Sequence, residues 1–178
     1  VEGGVEAGPG YTPAKVSVEL PDTASLAVAH QVNDRLQVLA DYTWTGWSSL
    51  PRLNVQHGTF GVTLTDEYLG FKDSYRLGLG MQYQYTDALR LRAGVAYDQS
   101  PIRKAEDRTV RLPDSDRTWL AFGFNYKLNK QTSIDAGYAH LFFDKEKIDR
   151  RTVLGTTATS QFVRGSFDTS VNILSVQL

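Results

Sequence analysis

Residues 74 to 98 alternate in polarity, and no other feature of the 178-residue chain constrains its fold as strongly. The first segment has an apolar residue at every second position, with tyrosines at both ends: Tyr75, Leu77, Leu79, Met81, Tyr83 and Tyr85. After Thr86 and Asp87 the pattern restarts with Leu89, Leu91, Ala93, Val95 and Tyr97. Because successive side chains of a β-strand point to opposite faces, the pattern predicts a hairpin with one apolar and one polar face.

The same alternating unit recurs and predicts about seven strands. The other candidate strands span residues 24–32, 36–47, 117–128, 133–143 and 170–178. The turns at 33–34, 86–87 and 129–131 are short, whereas the connections 48–73, 100–116 and 145–169 are long and polar. Short turns on one rim and long loops on the other are typical of bacterial outer-membrane barrels, and about ten residues suffice for a tilted strand to cross a bilayer.

Composition is compatible with a barrel and excludes several other classes. The chain is 41% hydrophobic and 22% charged, as expected when half of each strand is polar, and it contains no apolar run long enough for a spanning helix. A net charge of -1 without a basic tract argues against nucleic-acid binding. The absence of cysteine removes disulfides and thiolate metal sites. We therefore predict an all-β fold, an antiparallel transmembrane β-barrel with lipid outside and a polar lumen.

Enzyme chemistry is not expected. His30, His57 and His140 are scattered without metal-ligand spacing, and no nucleophile elbow or phosphate-binding glycine loop is present. A Ser/His hydrolase pair assembled in space stays open as an alternative. We expect neither a metal nor any other cofactor.

The polar face carries charges that allow two interpretations. These residues are Asp41, Arg76, Arg90, Arg92, Asp98, Arg117, Lys127 and Asp135. They form either a structural network of ion pairs or a site where a cation receives an anionic head group, since an unpaired buried charge is costly. The loop 48–73 is similarly ambiguous, because its many apolar side chains either pack on a neighbour or line a groove for a hydrophobic ligand.

Four motifs resemble the long-chain fatty-acid transporters of Gram-negative outer membranes, the FadL family. They are LPDTASL at 20–26, GFKDSYR at 70–76, YDQSPI at 97–102 and LPDSDRTWL at 112–120. The resemblance implies a barrel of fourteen strands plugged by an N-terminal hatch. The 178 residues would then be a single barrel portion containing about the last seven strands. Residues 1–22 would end an extracellular loop that leads into the first strand, and the hatch and earlier strands would be absent.

The resemblance also implies a ligand site in the loop 48–73. Lys72 would face a fatty-acid carboxylate, with Arg76 as a less certain second contact. Hydrophobic contacts would come from Trp47, Leu50, Leu53, Phe60, Leu69 and Phe71.

The expected function is passive uptake of long-chain fatty acids or related hydrophobic compounds across the outer membrane, with no need for ATP. The expected partners are such ligands and outer-membrane lipid, with no nucleic acid, and the complete barrel would be monomeric. Three alternatives stay open: an aromatic-hydrocarbon channel of the same family, a structural or adhesive barrel with solvated loops, and a soluble β-sandwich that needs no detergent.

Overall fold

The computed structural model describes residues 2–6, 11–110, 112–154 and 159–178, and these are mainly β-structure. In chain order the strands are β1 Glu2–Glu6, β2 Tyr11–Val16, β3 Thr23–Gln31, β4 Leu36–Thr45, β5 Arg52–His57, β6 Thr63–Tyr68, β7 Ser74–Gln84, β8 Leu89–Asp98, β9 Arg117–Lys127, β10 Ser133–Phe143, β11 Glu146–Leu154, β12 Thr159–Phe167 and β13 Ser170–Gln177. A single 3-10 turn, Trp47–Ser49, is the helical structure found within these ranges. None of the helical structure described is long and apolar enough to span a membrane.

Seven strands form one antiparallel sheet in the order β13-β10-β9-β8-β7-β4-β3. These are the seven strands predicted from alternation, and their ends lie within two residues of the predicted ones. The largest difference is in β4, which ends at Thr45 because the chain turns at Gly46 into the 3-10 turn. The prediction of an antiparallel barrel wall is confirmed.

The two faces of this sheet differ as the alternation predicts. On β7, Leu77, Leu79 and Met81 project from the outer face and remain 46–56% exposed, whereas Ser74 and Gly78 on the inner face are buried. A water-soluble sheet would cover such an apolar face with a second layer. An exposed apolar face on every strand of the wall is the arrangement of a barrel surrounded by lipid.

Aromatic rings mark both margins of the apolar face. At the long-loop end, Tyr42, Tyr75 and Tyr97 lie on three adjacent strands, with ring centroids 6.3 and 6.1 Å apart. At the short-turn end Tyr126 pairs across to Leu89, next to the turn that follows Tyr85. Amphipathic rings at both margins are the aromatic girdles that lie at the two membrane interfaces.

The long connections contain hairpins that alternation did not predict. Strands β1, β2, β5 and β6 form a second antiparallel sheet, and β11 pairs with β12 in a third. The N-terminal stretch is therefore partly strand, since β1 pairs with β2, and β2 joins β5 from Ala14 to Val16. β11 begins with the sequence EKIDRR and thus lacks the lipid-facing apolar series that identifies the wall strands.

Candidate functional site

A cavity of about 500 Å³ lies at the long-loop end of the inner face. Its boundaries are the ends of β4 and β8, the starts of β7 and β9 and the connection 99–116. Its lining residues are Thr45, Trp47, Phe71, Ser74, Asp98, Gln99, Pro101, Ile102, Leu112, Pro113, Asp114 and Arg117. A second concavity of about 550 Å³ at the short-turn end is lined by polar and charged side chains such as Gln37, Gln82 and Arg90. A cavity that combines apolar walls with a few polar groups is the better candidate for binding a hydrophobic ligand.

Trp47 and Phe71 form one wall of the cavity. Their rings meet edge to face, with centroids 5.8 Å apart. The two ends of the loop 48–73 are tied together because the Ser48 backbone N–H donates to Asp73 Oδ1 at 3.0 Å. Hydrogen bonds from Ser48 lower the pKa of Asp73, because they stabilise its carboxylate form. This bond holds Trp47 opposite Phe71.

The connection 99–116 supplies the opposite wall with Pro101, Ile102, Leu112 and Pro113. Ile102 is only 3% exposed. The Lys72 backbone N–H donates to the Pro101 carbonyl at 2.9 Å and so joins this wall to Phe71. No sequence pattern assigned these wall residues to the site. The one sequence feature that pointed to them was the presence of apolar residues in the YDQSPI and LPDSDRTWL motifs.

Arg108 fixes the shape of this wall from behind. Its side chain is 1% exposed, and it donates to the carbonyls of Asp114, Lys147 and Ile102 at 3.0, 2.7 and 3.3 Å. Its Nη1 also lies 3.2 Å from Glu146 Oε2. A planar guanidinium with five N–H donors can satisfy several acceptors at once. Arg108 thus links two cavity-lining residues to β11.

Three charged residues line the cavity: Asp98, Asp114 and Arg117. Arg117 Nη2 lies 2.8 Å from Asp98 Oδ2, and Nη1 lies 2.7 Å from Asp114 Oδ1. The guanidinium also lies over the Phe143 ring, 5.7 Å from its centroid. Within the described ranges, no group of His, Asp or Glu side chains has the arrangement of a metal site.

Arg76 and Lys72, the two predicted carboxylate contacts, lie outside the cavity lining. Arg76 Nη1 lies 2.7 Å from Asp41 Oδ1, and a similar pair joins Arg92 to Asp135 at 2.8 Å. These pairs correspond to the ion-pair interpretation of the inner-face charges. The Lys72 side chain is exposed to solvent, while its backbone is tied to the cavity wall through Pro101.

The remaining predicted hydrophobic contacts are dispersed over the loop. Leu69 is buried at 7% exposure, and its N–H donates to the Pro51 carbonyl. Leu50 and Leu53 are half-buried. Phe60 is 76% exposed at the tip of the β5–β6 hairpin, with its ring 4.8 Å from that of His57. Of the eight predicted residues, the structure brings Trp47 and Phe71 together in the cavity.

Comparison with known proteins identifies relatives that match most of this chain. Residues 2–178 match the family described as outer membrane protein transport protein (OMPP1/FadL/TodX). A 47 kDa outer membrane protein of Pasteurella multocida is 37% identical over 153 residues, which are 86% of this chain and 35% of that protein. The long-chain fatty acid transport protein of Escherichia coli is 34% identical over 134 residues, which are 75% of this chain and 30% of that protein.

A solved structure shows the same fold. The crystal structure of a Pseudomonas aeruginosa FadL homologue superimposes with a TM-score of 0.79 at 32% identity, covering 93% of this chain and 36% of that one. The chain thus spans about a third of the length of the relatives that it matches. The resemblance inferred from the four motifs is confirmed, as is the location in the outer membrane of Gram-negative bacteria. The chain belongs to the OMPP1/FadL/TodX family of outer-membrane transport proteins.

Proposed function

We propose that this chain contributes to passive uptake of long-chain fatty acids and related hydrophobic compounds, and that the cavity behind Trp47 and Phe71 holds the apolar part of the ligand. The observation that carries the proposal is the edge-to-face pair at 5.8 Å on the wall of a cavity of about 500 Å³. The cavity lies at the long-loop end of the wall, which is the extracellular end in outer-membrane barrels.

Binding draws its free energy from the transfer of apolar surface out of water. Each methylene buried contributes about 0.8 kcal/mol, so about ten buried methylenes supply the roughly 8 kcal/mol of micromolar binding without ATP or a metal. Release inward needs only a lower free concentration of ligand on the periplasmic side.

Lys72 is proposed to attract a fatty-acid carboxylate from water. Lys72 follows Phe71 in the chain, its side chain is exposed, and its backbone is bonded to Pro101, so the residue adjoins two residues of the cavity lining. Exposed cations increase the rate at which anionic ligands arrive. Arg76 is a weaker candidate, because a ligand would share its guanidinium with Asp41 at 2.7 Å.

Alanine substitution of Trp47 and Phe71 tests the cavity. We expect each change to weaken ligand binding about tenfold or more in the detergent-purified protein, since each removes one face of the aromatic wall. Phe60→Ala is the matched control, because Phe60 is an apolar residue of the same loop outside the cavity lining. A loss in Phe60→Ala equal to that in Trp47→Ala would place the ligand on the hairpin tip and contradict the proposal.

Lys72→Ala tests the carboxylate contact separately. The variant should lose more affinity for a long-chain fatty acid than for a neutral hydrocarbon of equal length, because only the acid carries a charge. Lys130→Ala, at the opposite rim next to the β9–β10 turn, should change neither affinity. Equal losses for the acid and the hydrocarbon would exclude the carboxylate role.

Uptake of aromatic hydrocarbons is a second candidate function. The fold matches a solved structure of the deltaS2 mutant of the TodX monoaromatic hydrocarbon channel at 25% identity and a TM-score of 0.63. The aromatic pair in the cavity wall favours flat aromatic ligands as well as alkyl chains. A structural or adhesive barrel would instead bind neither class of compound, so the same binding measurements test it.

A further inference from the structure

The Arg117 guanidinium, which lines the cavity, has each of its three nitrogens beside an aspartate carboxylate oxygen. Arg117 Nε donates to Asp98 Oδ2 at 2.9 Å, and Nη2 lies 2.8 Å from the same oxygen. The remaining nitrogen, Nη1, donates to Asp114 Oδ1 at 2.7 Å. All three guanidinium nitrogens are thus engaged by two carboxylates.

Both carboxylates are held in place by other groups or by burial. Asp114 Oδ2 accepts a hydrogen bond from Ser100 Oγ at 2.8 Å, and its carbonyl accepts one from Arg108. Ser100 itself is 1% exposed. The side chains of Asp98 and Arg117 are only 19% and 25% exposed. A ligand therefore meets a fixed Asp–Arg–Asp cluster in the cavity, with two negative charges and one positive charge.

A carboxylate inside this cavity would be unfavourable for two reasons. It would lose its hydration without gaining an unoccupied cation, and it would lie close to two like charges in surroundings that screen charge poorly. An alcohol or a hydrocarbon meets neither penalty, because it carries no charge.

We propose that Asp98 and Asp114 determine head-group specificity: the cavity accepts uncharged groups and excludes carboxylates, so that a fatty acid keeps its carboxylate outside, near Lys72. This inference rests on the proposed function of the cavity and names the residues that select among its ligands. The two aspartates determine specificity because they already pair with Arg117, the cation that a carboxylate in the cavity would otherwise contact.

A compact pair of ligands tests the inference, because molecules that fit wholly inside the cavity cannot place their head group at the rim. We suggest 4-propylbenzyl alcohol and 4-propylbenzoate, which differ in charge and little in shape. Their affinities for the detergent-purified protein would be measured by calorimetry at neutral pH. We expect the benzoate to bind at least about tenfold more weakly than the alcohol.

Asp114→Asn and Asp98→Asn should each reverse this preference in part. Each removes one negative charge and frees a donor of Arg117, so benzoate affinity should rise about tenfold while alcohol affinity stays within about twofold. Asp168→Asn is the charge-matched control, since Asp168 is 71% exposed and pairs with Lys145 outside the cavity. A gain in affinity is informative because misfolding would only reduce binding.

The outcomes separate this inference from the proposed function. If the benzoate binds as tightly as the alcohol, if neither asparagine variant changes the ratio, or if Asp168→Asn changes it equally, the specificity role is wrong. In those cases the cavity itself would still be supported by alcohol binding that weakens in Trp47→Ala. If the alcohol does not bind, or binds independently of Trp47, both the inference and the proposed function are overturned.

Discussion

At the scale of single residues, the bond between Ser48 and Asp73 controls the position of Trp47. Because Ser48 lowers the pKa of Asp73, the carboxylate form is stabilised in the folded loop, and its contribution is present above the unfolded pKa of about 3.9. That contribution is lost only as the pH falls through the lowered value.

We therefore expect the surroundings of Trp47 to stay constant from about pH 8 to about pH 5 and to change only below about pH 4. Tryptophan fluorescence followed from about pH 8 to below about pH 4 would show one transition, at acid pH, in the unmodified protein. Asp73→Asn should lack that transition, because its amide does not titrate. A transition shared by both proteins would assign the change to another carboxyl group.

The backbone of β10 lies close to Gly123 of β9, and this gives a second prediction for a single residue. A Cβ added at Gly123 would lie 2.9 Å from the Ala136 carbonyl oxygen, whereas one added at Gly80, also on the inner face, would have its nearest neighbour at 3.7 Å. Gly123→Ala should thus lower the free energy of unfolding by about 1–3 kcal/mol through overpacking against a neighbouring strand. Gly80→Ala should leave it unchanged or raise it by about 0.5 kcal/mol.

Urea unfolding of the two variants in detergent would measure the difference. Equal stabilities would show that β9 and β10 can separate by a few tenths of an ångström without cost.

At the scale of elements, the buried Arg108 joins the connection 99–116 to β11. Replacing it with methionine would leave three carbonyls and the half-exposed Glu146 without their donor, and each buried acceptor left unsatisfied costs about 1–3 kcal/mol. Since these contacts lie outside the barrel wall, we expect Arg108→Met to loosen the loops and leave the wall folded.

Limited proteolysis of intact cells would detect this loosening as faster cleavage within 99–116. Arg164→Met is the matched control, because Arg164 also reaches β11, at Asp149, but through a pair whose side chains are 68% and 41% exposed. Exposed pairs contribute about 0–1 kcal/mol, so its cleavage rate should stay near that of the unmodified protein. Equal cleavage rates in all three proteins would contradict the role of Arg108 in joining the connection 99–116 to β11.

Elements differ in how far their sequence predicts them. The wall strands meet lipid on one face and polar groups on the other, so their alternation from Tyr75 to Tyr85 identified both strand and face. Strands β1, β2, β5, β6, β11 and β12 lie outside the seven-stranded wall, and they pair mainly as local hairpins. Their alternating stretches are short, as with Leu53 and Val55 of β5, so alternation alone did not identify them as strands.

The candidate site divides in the same way. Trp47 and Phe71 were two of the six hydrophobic contacts that the family resemblance implied, and they are the two of those six that line the cavity. The inner-face charges were assigned to the correct face, but the partners Asp41 and Arg76 depend on the register between β4 and β7. Ile102 and Leu112 joined the cavity only through the folding of the connection 99–116.

At the scale of the whole molecule, the orientation of the wall toward lipid makes β7 sensitive to charge on one face only. Leu79 is 56% exposed on the outer face, four residues from both Tyr75 and Tyr83, and so lies near the middle of the apolar band. Gln82 is on the inner face, where it donates to Gln37 Oε1 at 3.1 Å.

Leu79→Lys should lower the free energy of unfolding in lipid vesicles by about 2–4 kcal/mol, since a lysine at the bilayer midplane loses its hydration. Gln82→Lys should cost less than about 1 kcal/mol, because the polar inner face hydrates the ammonium. In a water-soluble β-domain the exposed Leu79 would accept lysine with little change. Equal stability of the two variants in vesicles would therefore contradict the assignment of the outer face to lipid.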